Sequence, residues 1–205
     1  MAEERSKGWW QEYRGLLPSG LLDIAELEHH ATYLCSYQTL MVPGIFQIEG
    51  YARTIFGGRI PPLPERELAT RLEHRLRRRG IFERPTPPPF TAVIHEAALR
   101  MLYGGRKTAR DQLRYLLEVS EWPTVTVRII PFSTEAFVGT TQTLLYAGGV
   151  VQQLDTVQLD SANGTTLIDA SAQLTSYRAM LDALQGVALT VAESRDAIRR
   201  IAKEM

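Results

Sequence analysis

Several stretches of the chain place hydrophobic residues at helical spacing. Leu68, Leu72 and Leu76 recur every four residues, which predicts one face of a helix that begins after Pro64 and ends near Gly80. Three other predicted helices cover residues 9–16, 21–31 and 96–102. Further helices are predicted for the segment that carries Leu113, Leu116 and Leu117, for the amphipathic stripe from Leu174 to Ala188, and for the last segment, with Ile198 and Ile201. Helices therefore account for both ends of the chain.

Other stretches are rich in β-branched and aromatic residues, as strands are. Residues 32–41, 90–94 and 125–130 are the predicted strands of the first two thirds of the sequence. Three short strands at 140–146, 150–154 and 156–159, separated by Gly148-Gly149 and Asp155, resemble a meander of hairpins. The predicted class is α+β, with N-terminal helices, a mixed or antiparallel sheet that includes the meander, and C-terminal helices.

Two predicted helix starts carry the sequence of a capping box, in which a hydroxyl residue precedes an acid by three positions. One is Thr190 with Glu193, before the last helix, and Thr108 with Asp111 resembles the same device. Residues 1–205 are long enough for one domain, and we expect residues 1–8 to be a flexible tail.

Residues 42–53, VPGIFQIEGYAR, combine turn-forming and helix-forming positions, and we call this segment the elbow. Pro43 and Gly44 predict a sharp turn between an extended segment and a short helix. Gln47, Glu49 and Tyr51 lie close together there, so an amide, an acid and a phenol can face a ligand. A helix cap followed by a core tyrosine explains the same residues equally well.

Composition narrows the classes of function. The 205 residues are 44% hydrophobic, and 23 basic residues balance 23 acidic ones, so no overall charge directs the chain to nucleic acid or a membrane surface. Cys35 is the single cysteine, and the adjacent His29 and His30 diverge on a helix, so we expect no disulfide and no metal. No apolar run approaches the roughly 20 residues that span a bilayer, and the charged N-terminus is not a signal peptide. The prediction is a cytoplasmic protein without a cofactor.

The elbow resembles a signature of the C-terminal effector domain of actinobacterial XRE-type helix-turn-helix regulators, which are antitoxin-like proteins of the Scr type. The resemblance continues in the same order along the chain, at residues 9–13, 75–79, 96–100, 104–105, 112–113, 125–132, 188–190 and 193–194. It implies a sensor domain whose partner is a small molecule or a small toxin-like protein, and a homodimer is compatible with it. Only eight residues precede Trp9, so we expect the DNA-binding domain to be absent and the chain not to bind DNA by itself.

The chain also departs from that family pattern. Ile48 stands before the acid where a small polar residue is usual, and Phe137 stands where a histidine is frequent. Residues 157–160, VQLD, replace a typical Val-Tyr-Val-Glu. If these positions line a pocket, its contents differ from the family norm.

Three further groups are candidates for chemistry or binding. His95-Glu96 lies where a strand changes to a helix, and an acid beside an imidazole is the best general acid/base pair of the sequence; stabilisation of the helix start by Glu96 is the alternative. Trp10 can form an aromatic wall or pack in the core, and Arg100 lies in the matching segment 96–100. Arg71, Arg75 and Arg78 can clamp phosphates, but the interleaved acids Glu67 and Glu73 favour a solvated face with ion pairs.

Two functions from different classes follow. The first is an effector domain that binds a ligand or partner through Gln47, Glu49, Tyr51, Trp10 and Arg100. The alternative is a cofactor-independent enzyme of secondary metabolism, a cyclase or isomerase, in which His95 and Glu96 perform acid/base chemistry on the same scaffold.

Overall fold

A six-stranded mixed sheet forms the centre of the molecule. The computed structural model describes residues 8–135, 142–161 and 164–205. Its strands are β1 Tyr33–Gln38, β2 Phe90–His95, β3 Val125–Ile130, β4 Leu144–Gly148, β5 Thr156–Ser161 and β6 Gly164–Ile168. They lie in the order β3-β2-β1-β4-β5-β6. The first three are parallel to one another, and each later neighbour is antiparallel.

Helices cover both faces of this sheet. They are α1 Ser19–His30, α2 Glu49–Gly57, α3 Glu65–Arg77, α4 Glu96–Arg100, α5 Gly105–Val119, α6 Ser171–Val187 and α7 Val191–Glu204. On one face α6 buries Leu174, Leu181 and Leu184 against the sheet. On the other, side chains of α1, α5, α7 and the elbow pack in the larger core cluster. The α+β class is confirmed, with helices at both ends of the described chain.

The elbow has the predicted turn followed by a helix. After Pro43 the chain makes a 3₁₀ turn at Gly44–Phe46 and then enters α2. Phe46 is fully buried and packs against Phe82 and Phe90, with ring centroids 5.5 and 4.9 Å away. Aromatic pairs at this separation bury a large apolar area, so they fix the elbow on the sheet.

Some element boundaries differ from the sequence prediction. The first segment is a 3₁₀ helix at Trp9–Tyr13, and a 3₁₀ helix at Arg78–Glu83 follows α3. The capping box at Thr190 is confirmed, since Thr190 and Glu193 each bond to the backbone of the other. The one at Thr108 is wrong: α5 begins at Gly105 after Gly104, whose φ of 75° suits a glycine, and Asp111 pairs with Lys107 inside the helix.

The predicted meander is only partly correct. Residues 150–154 do not form a strand; they contain a 3₁₀ turn at Gln152–Leu154, because the Asp155 carboxylate accepts the Gly149 N–H and closes the loop. The sequence reading missed β6, an edge strand whose side chains are mostly exposed. The start of the strand expected at 140–146, Phe137 and residues 1–7 of the expected tail lie outside the described residues.

Candidate functional site

A cavity of about 140 Å³ lies between the elbow and the sheet, and we call it the elbow cavity. Strands β1, β4 and β5 form its floor, α1 and the elbow its sides, and the end of α3 with the following turn closes it. Its lining includes Glu28, Ser36, Gly44, Gln47, Arg75, Arg78, Leu145, Gln158, Asp160 and Thr165.

Strand register forms the floor of the elbow cavity. Ser36 on β1 is opposite Leu145 on β4, and Leu145 is opposite Gln158 on β5. Since paired residues point to the same face of a sheet, these three side chains form a row across three strands. Ser36 and Gln158 are 1% and 4% exposed, so the row puts two polar side chains in the interior.

An ion pair closes one side of the elbow cavity. The Arg78 guanidinium donates from Nε and one terminal nitrogen to the two Glu28 carboxylate oxygens, at 2.7 and 2.5 Å. Both side chains are almost fully buried. This bidentate geometry is what a buried arginine needs, because each charge is neutralised and hydrogen-bonded where water does not reach it.

Arg75 lies one turn earlier and is bound differently. Its guanidinium carbon is 4.1 Å from the centre of the Phe56 ring, and a terminal nitrogen donates to Gln47 Oε1 at 2.5 Å. Gln47 in turn donates from Nε2 to the Val42 carbonyl at 2.7 Å, which orients its amide. Burial, together with Arg78, lowers the pKa of Arg75 to about 9. No carboxylate among the described residues forms an ion pair with it.

Three buried polar atoms of the elbow cavity have no hydrogen-bond partner among the described residues. They are Ser36 Oγ, Gln158 Oε1 and Arg75 Nε. Leaving such an atom unbonded costs about 1–3 kcal/mol, and buried polar groups in proteins are nearly always bonded. An acceptor and a donor that both lack partners around one cavity are the arrangement that a polar ligand completes.

Of the five predicted ligand-binding residues, the elbow cavity includes Gln47. Tyr51 is buried beside it, where its hydroxyl accepts the Val42 N–H at 3.3 Å, and burial raises its pKa. Glu49 is exposed and pairs with Arg53 at 3.1 Å. Gln47 and Tyr51 thus bond to the backbone of the elbow, and Glu49 lies outside the cavity.

The remaining predicted residues lie elsewhere. Trp10 is buried beside His29, at 4.8 Å between ring centroids. Arg100 donates to Glu96 at 2.7 Å and to Glu204 at 2.8 Å. Neither residue lines the elbow cavity.

His95 and Glu96 meet at the junction of β2 and α4, as predicted, outside the elbow cavity. His95 Nδ1 accepts the Ala97 N–H and so caps α4, and burial lowers its pKa. Burial alone would raise the pKa of Glu96, but hydrogen bonds from the Phe132 N–H and from Arg100 outweigh it and lower that pKa. Both side chains therefore have structural partners, and their catalytic role stays a prediction.

The predicted solvent exposure of the arginines that line or flank the elbow cavity was wrong. Arg71 and Arg78 are 6% and 4% exposed, so the expected solvated face does not exist. The expected pairing is partly correct, since Arg71 bonds to Glu67 at 2.6 Å. Glu73 bonds instead to the Tyr13 hydroxyl, at 2.7 Å, on another side of the helix. Alternating charges along a helix usually indicate solvent exposure. Here the N-terminal segment and α1 cover the helix, and they are too distant in the sequence for the local pattern to reveal that contact.

A second polar cluster lies on the face covered by α6, and we call it the Asp155 network. The Asp155 carboxylate accepts the Tyr146 hydroxyl at 2.6 Å, the Tyr33 hydroxyl at 3.2 Å and the Gly149 N–H at 2.9 Å. Arg178 donates to the Tyr146 hydroxyl at 2.7 Å. Tyr33, Tyr146 and Arg178 line a more open cavity of about 240 Å³, but their polar atoms already have protein partners.

Comparison with known families supports part of the expected identity. A family profile described as "Domain of unknown function (DUF5753)" matches residues 21–200. The chain belongs to the DUF5753 family. No curated protein and no solved structure matched this DUF5753 domain. None of its described helices combines the length and apolar character needed to cross a bilayer.

Proposed function

We propose that this DUF5753 domain is a sensor module that binds a small molecule in the elbow cavity. The observation that carries the proposal is a set of three polar atoms around one cavity, Ser36 Oγ, Gln158 Oε1 and Arg75 Nε, that have no partner among the described residues. An apolar cavity stays dry, whereas polar walls favour a polar occupant. The resemblance to the effector domains of XRE-type regulators supports the same function.

The N-terminal segment contacts α1, which carries Glu28, and α3, which carries Arg75. Trp10 packs on His29, next to Glu28 in the chain, and Trp9 packs on His74, next to Arg75, with ring centroids 4.8 and 5.1 Å apart. A ligand that shifts Glu28 or Arg75 therefore has a short route to the start of the described chain. In a regulator, that route would carry the signal to a neighbouring domain.

The remaining expectations of partner and place stay proposals. A sensor of this type acts in the cytoplasm, where the single buried Cys35 stays reduced. A small toxin-like protein or a second copy of the chain is a further partner that the resemblance implies. The balanced charge supports a role without direct contact to DNA.

A small-molecule screen with a blocked cavity tests the function. Ser36→Leu adds carbon atoms at the floor of the elbow cavity, while Thr166→Leu makes a similar change at an exposed position of β6. We expect compounds that raise the melting temperature of the wild type and of Thr166→Leu, and that lose this effect with Ser36→Leu. Compounds that act equally on all three proteins, or an extensive screen that finds none, would refute the proposal.

A further inference from the structure

Among the residues that the structure describes, Arg75 is a cation of the elbow cavity that forms no ion pair with a carboxylate. Arg78 pairs with Glu28 and Arg71 with Glu67, but Arg75 has only the neutral amide of Gln47 and the Phe56 ring as partners. Asp160, at the edge of the cavity, and Glu28 both attract Arg75 electrostatically without forming an ion pair with it. The side chain as a whole is half-buried, and its Nε is within the buried part.

A buried cation without a counter-ion is unstable, because protein groups replace its hydration only partly. Arg75 cannot turn away easily, since the Phe56 ring and the Gln47 amide hold its guanidinium in one position. The Nε–H and the neighbouring terminal nitrogen form the planar edge that arginine uses to bind a carboxylate bidentately. An anionic group at this edge would satisfy both the charge and the unpartnered donor.

The other unpartnered groups specify what else the ligand carries. Gln158 Oε1 accepts no hydrogen bond from the described residues, while the Nε2 of the same side chain donates to Asp160 at 3.1 Å, which fixes the orientation of the amide. A free acceptor requires a donor from the ligand. Ser36 Oγ, in the same row of side chains, can donate or accept. Asp160 and Glu28 would repel a second negative charge in this space.

We propose that the ligand is a small monocarboxylic acid with a hydroxyl or amino group, and that its carboxylate binds Arg75 and its donor binds Gln158. This rests on the proposed function of the elbow cavity. The volume of about 140 Å³ suits a ligand, or the end of a ligand, of about six non-hydrogen atoms, since a cavity of similar size holds benzene. A carboxylate fits better than a phosphate, whose second charge would lie near Glu28 and Asp160.

Four probes of similar size separate the contributions. Butyrate and butyramide share their shape and differ in charge, 3-hydroxypropionate adds the hydroxyl, and inorganic phosphate represents the other anion. Each is titrated into the full chain at constant ionic strength, and the shifts of backbone amide signals in two-dimensional NMR give both affinity and location. We expect affinity to rise from butyramide through butyrate to 3-hydroxypropionate, with about a tenfold step between the first two.

Variants on the same helix assign the charge. Arg75→Met is expected to weaken butyrate about tenfold and to leave butyramide unchanged, while Arg75→Lys gives an intermediate loss because it keeps the charge without the planar edge. Arg66→Met is the matched control, since Arg66 is exposed on α3 outside the elbow cavity. The amide spectra show in the same experiment that each variant is folded.

Equal affinities for butyrate and butyramide, no effect of Arg75→Met, tighter binding of phosphate than of butyrate, or no binding of either carboxylate would each overturn the inference. Its failure is distinguishable from failure of the proposed function. If neutral compounds bind and Ser36→Leu blocks them, the sensor function stands and only the ligand class is wrong. If the screen finds no compound that this variant blocks, both proposals fall.

Discussion

The Asp155 network and the elbow cavity, on opposite faces of the sheet, bury polar groups in opposite ways. On the face covered by α6, the Asp155 carboxylate has three donors and Arg178 binds the Tyr146 hydroxyl, so the Asp155 network is complete within the protein. At the elbow cavity, Ser36, Gln158 and Arg75 each have a buried atom that finds no partner among the described residues. A complete network stabilises a fold, whereas an incomplete one around a cavity reserves its bonds for a ligand.

The same contrast separates two arginines of the elbow cavity that lie about one helical turn apart. Arg78 has a bidentate carboxylate partner, whereas Arg75 has none among the described residues, although both arginines line the cavity. The difference teaches that burial of an arginine does not by itself indicate a structural role. What separates the two is whether the protein supplies the counter-ion.

The largest expected effect is the loss of a counter-ion. Glu28→Ala leaves Arg78 buried and unpaired, so we expect the free energy of unfolding to fall by about 3–5 kcal/mol. Arg75→Met removes a cation that has no counter-ion, and the loss of its bond to Gln47 is offset by relief of that charge, so we expect a change within about 1 kcal/mol. Urea unfolding measures both. Equal losses for the two variants would remove the distinction between the arginines.

Deleting one hydroxyl from the Asp155 network and one from the elbow cavity compares these two sites directly. Tyr146→Phe removes a donor to the buried Asp155 and an acceptor for Arg178, which is expected to lower stability by about 1–3 kcal/mol. Ser36→Ala removes a hydroxyl that has no partner among the described residues, so we expect a change below about 0.5 kcal/mol or a small gain. The measurement is again urea unfolding, and a larger loss for Ser36→Ala than for Tyr146→Phe would contradict the comparison.

We expect the strongest acid sensitivity from His74 on α3, the helix whose end closes the elbow cavity. Burial, with help from Arg78, Arg75 and Arg77, lowers the pKa of His74 to about 3. The unfolded chain, in which a histidine titrates near pH 6.5, therefore binds the proton more readily than the folded protein does between these values. Stability from His74 is complete above about pH 6.5 and decreases as the pH falls.

We expect the free energy of unfolding to decrease by roughly 1 kcal/mol between pH 6.5 and 5.5 through His74. His74→Phe keeps an aromatic ring beside Trp9 and Tyr13 and should flatten this part of the profile. The remaining slope then reports the other groups, including His29, whose pKa burial also lowers. An unchanged slope in His74→Phe would show that His74 is not the responsible group.

The smallest effect is expected at the exposed end of the elbow. Glu49→Gln breaks an exposed pair with Arg53, which is worth at most a few tenths of a kcal/mol. Because Glu49 lies outside the elbow cavity, we also expect unchanged affinity for 3-hydroxypropionate in the NMR titration. A tenfold loss of affinity would instead place the binding site at Glu49, as one interpretation of the sequence has it.

Local patterns in the sequence were sufficient for much of the fold. The turn at Pro43, the capping box at Thr190 and the boundary between β2 and α4 all depend on residues close together in the chain, and they are present in the structure. The prediction of a strand at 150–154 was wrong because it could not take a distant contact into account. Asp155 binds Gly149 and also the hydroxyl of Tyr33, which is more than one hundred residues away.

The elbow cavity was harder to predict for the same reason. Its floor requires the register that brings Ser36, Leu145 and Gln158 together, and β1 is separated from β4 and β5 by more than one hundred residues. The departure from the family pattern at Gln158 did mark a position that lines the cavity. Arg75 belongs to the arginines that the sequence offers as a phosphate clamp, but the acids near them in the sequence indicate solvent exposure. Only the fold shows which side chains are covered.

The most direct test of the central claim is a crystal structure of the wild-type chain grown with saturating 3-hydroxypropionate. We expect electron density for one molecule in the elbow cavity, with its carboxylate oxygens at hydrogen-bond distance from the Arg75 guanidinium and its hydroxyl at the same range from Gln158 Oε1. Density elsewhere on the surface, or a cavity that holds only water beside an unmoved Arg75, would contradict it.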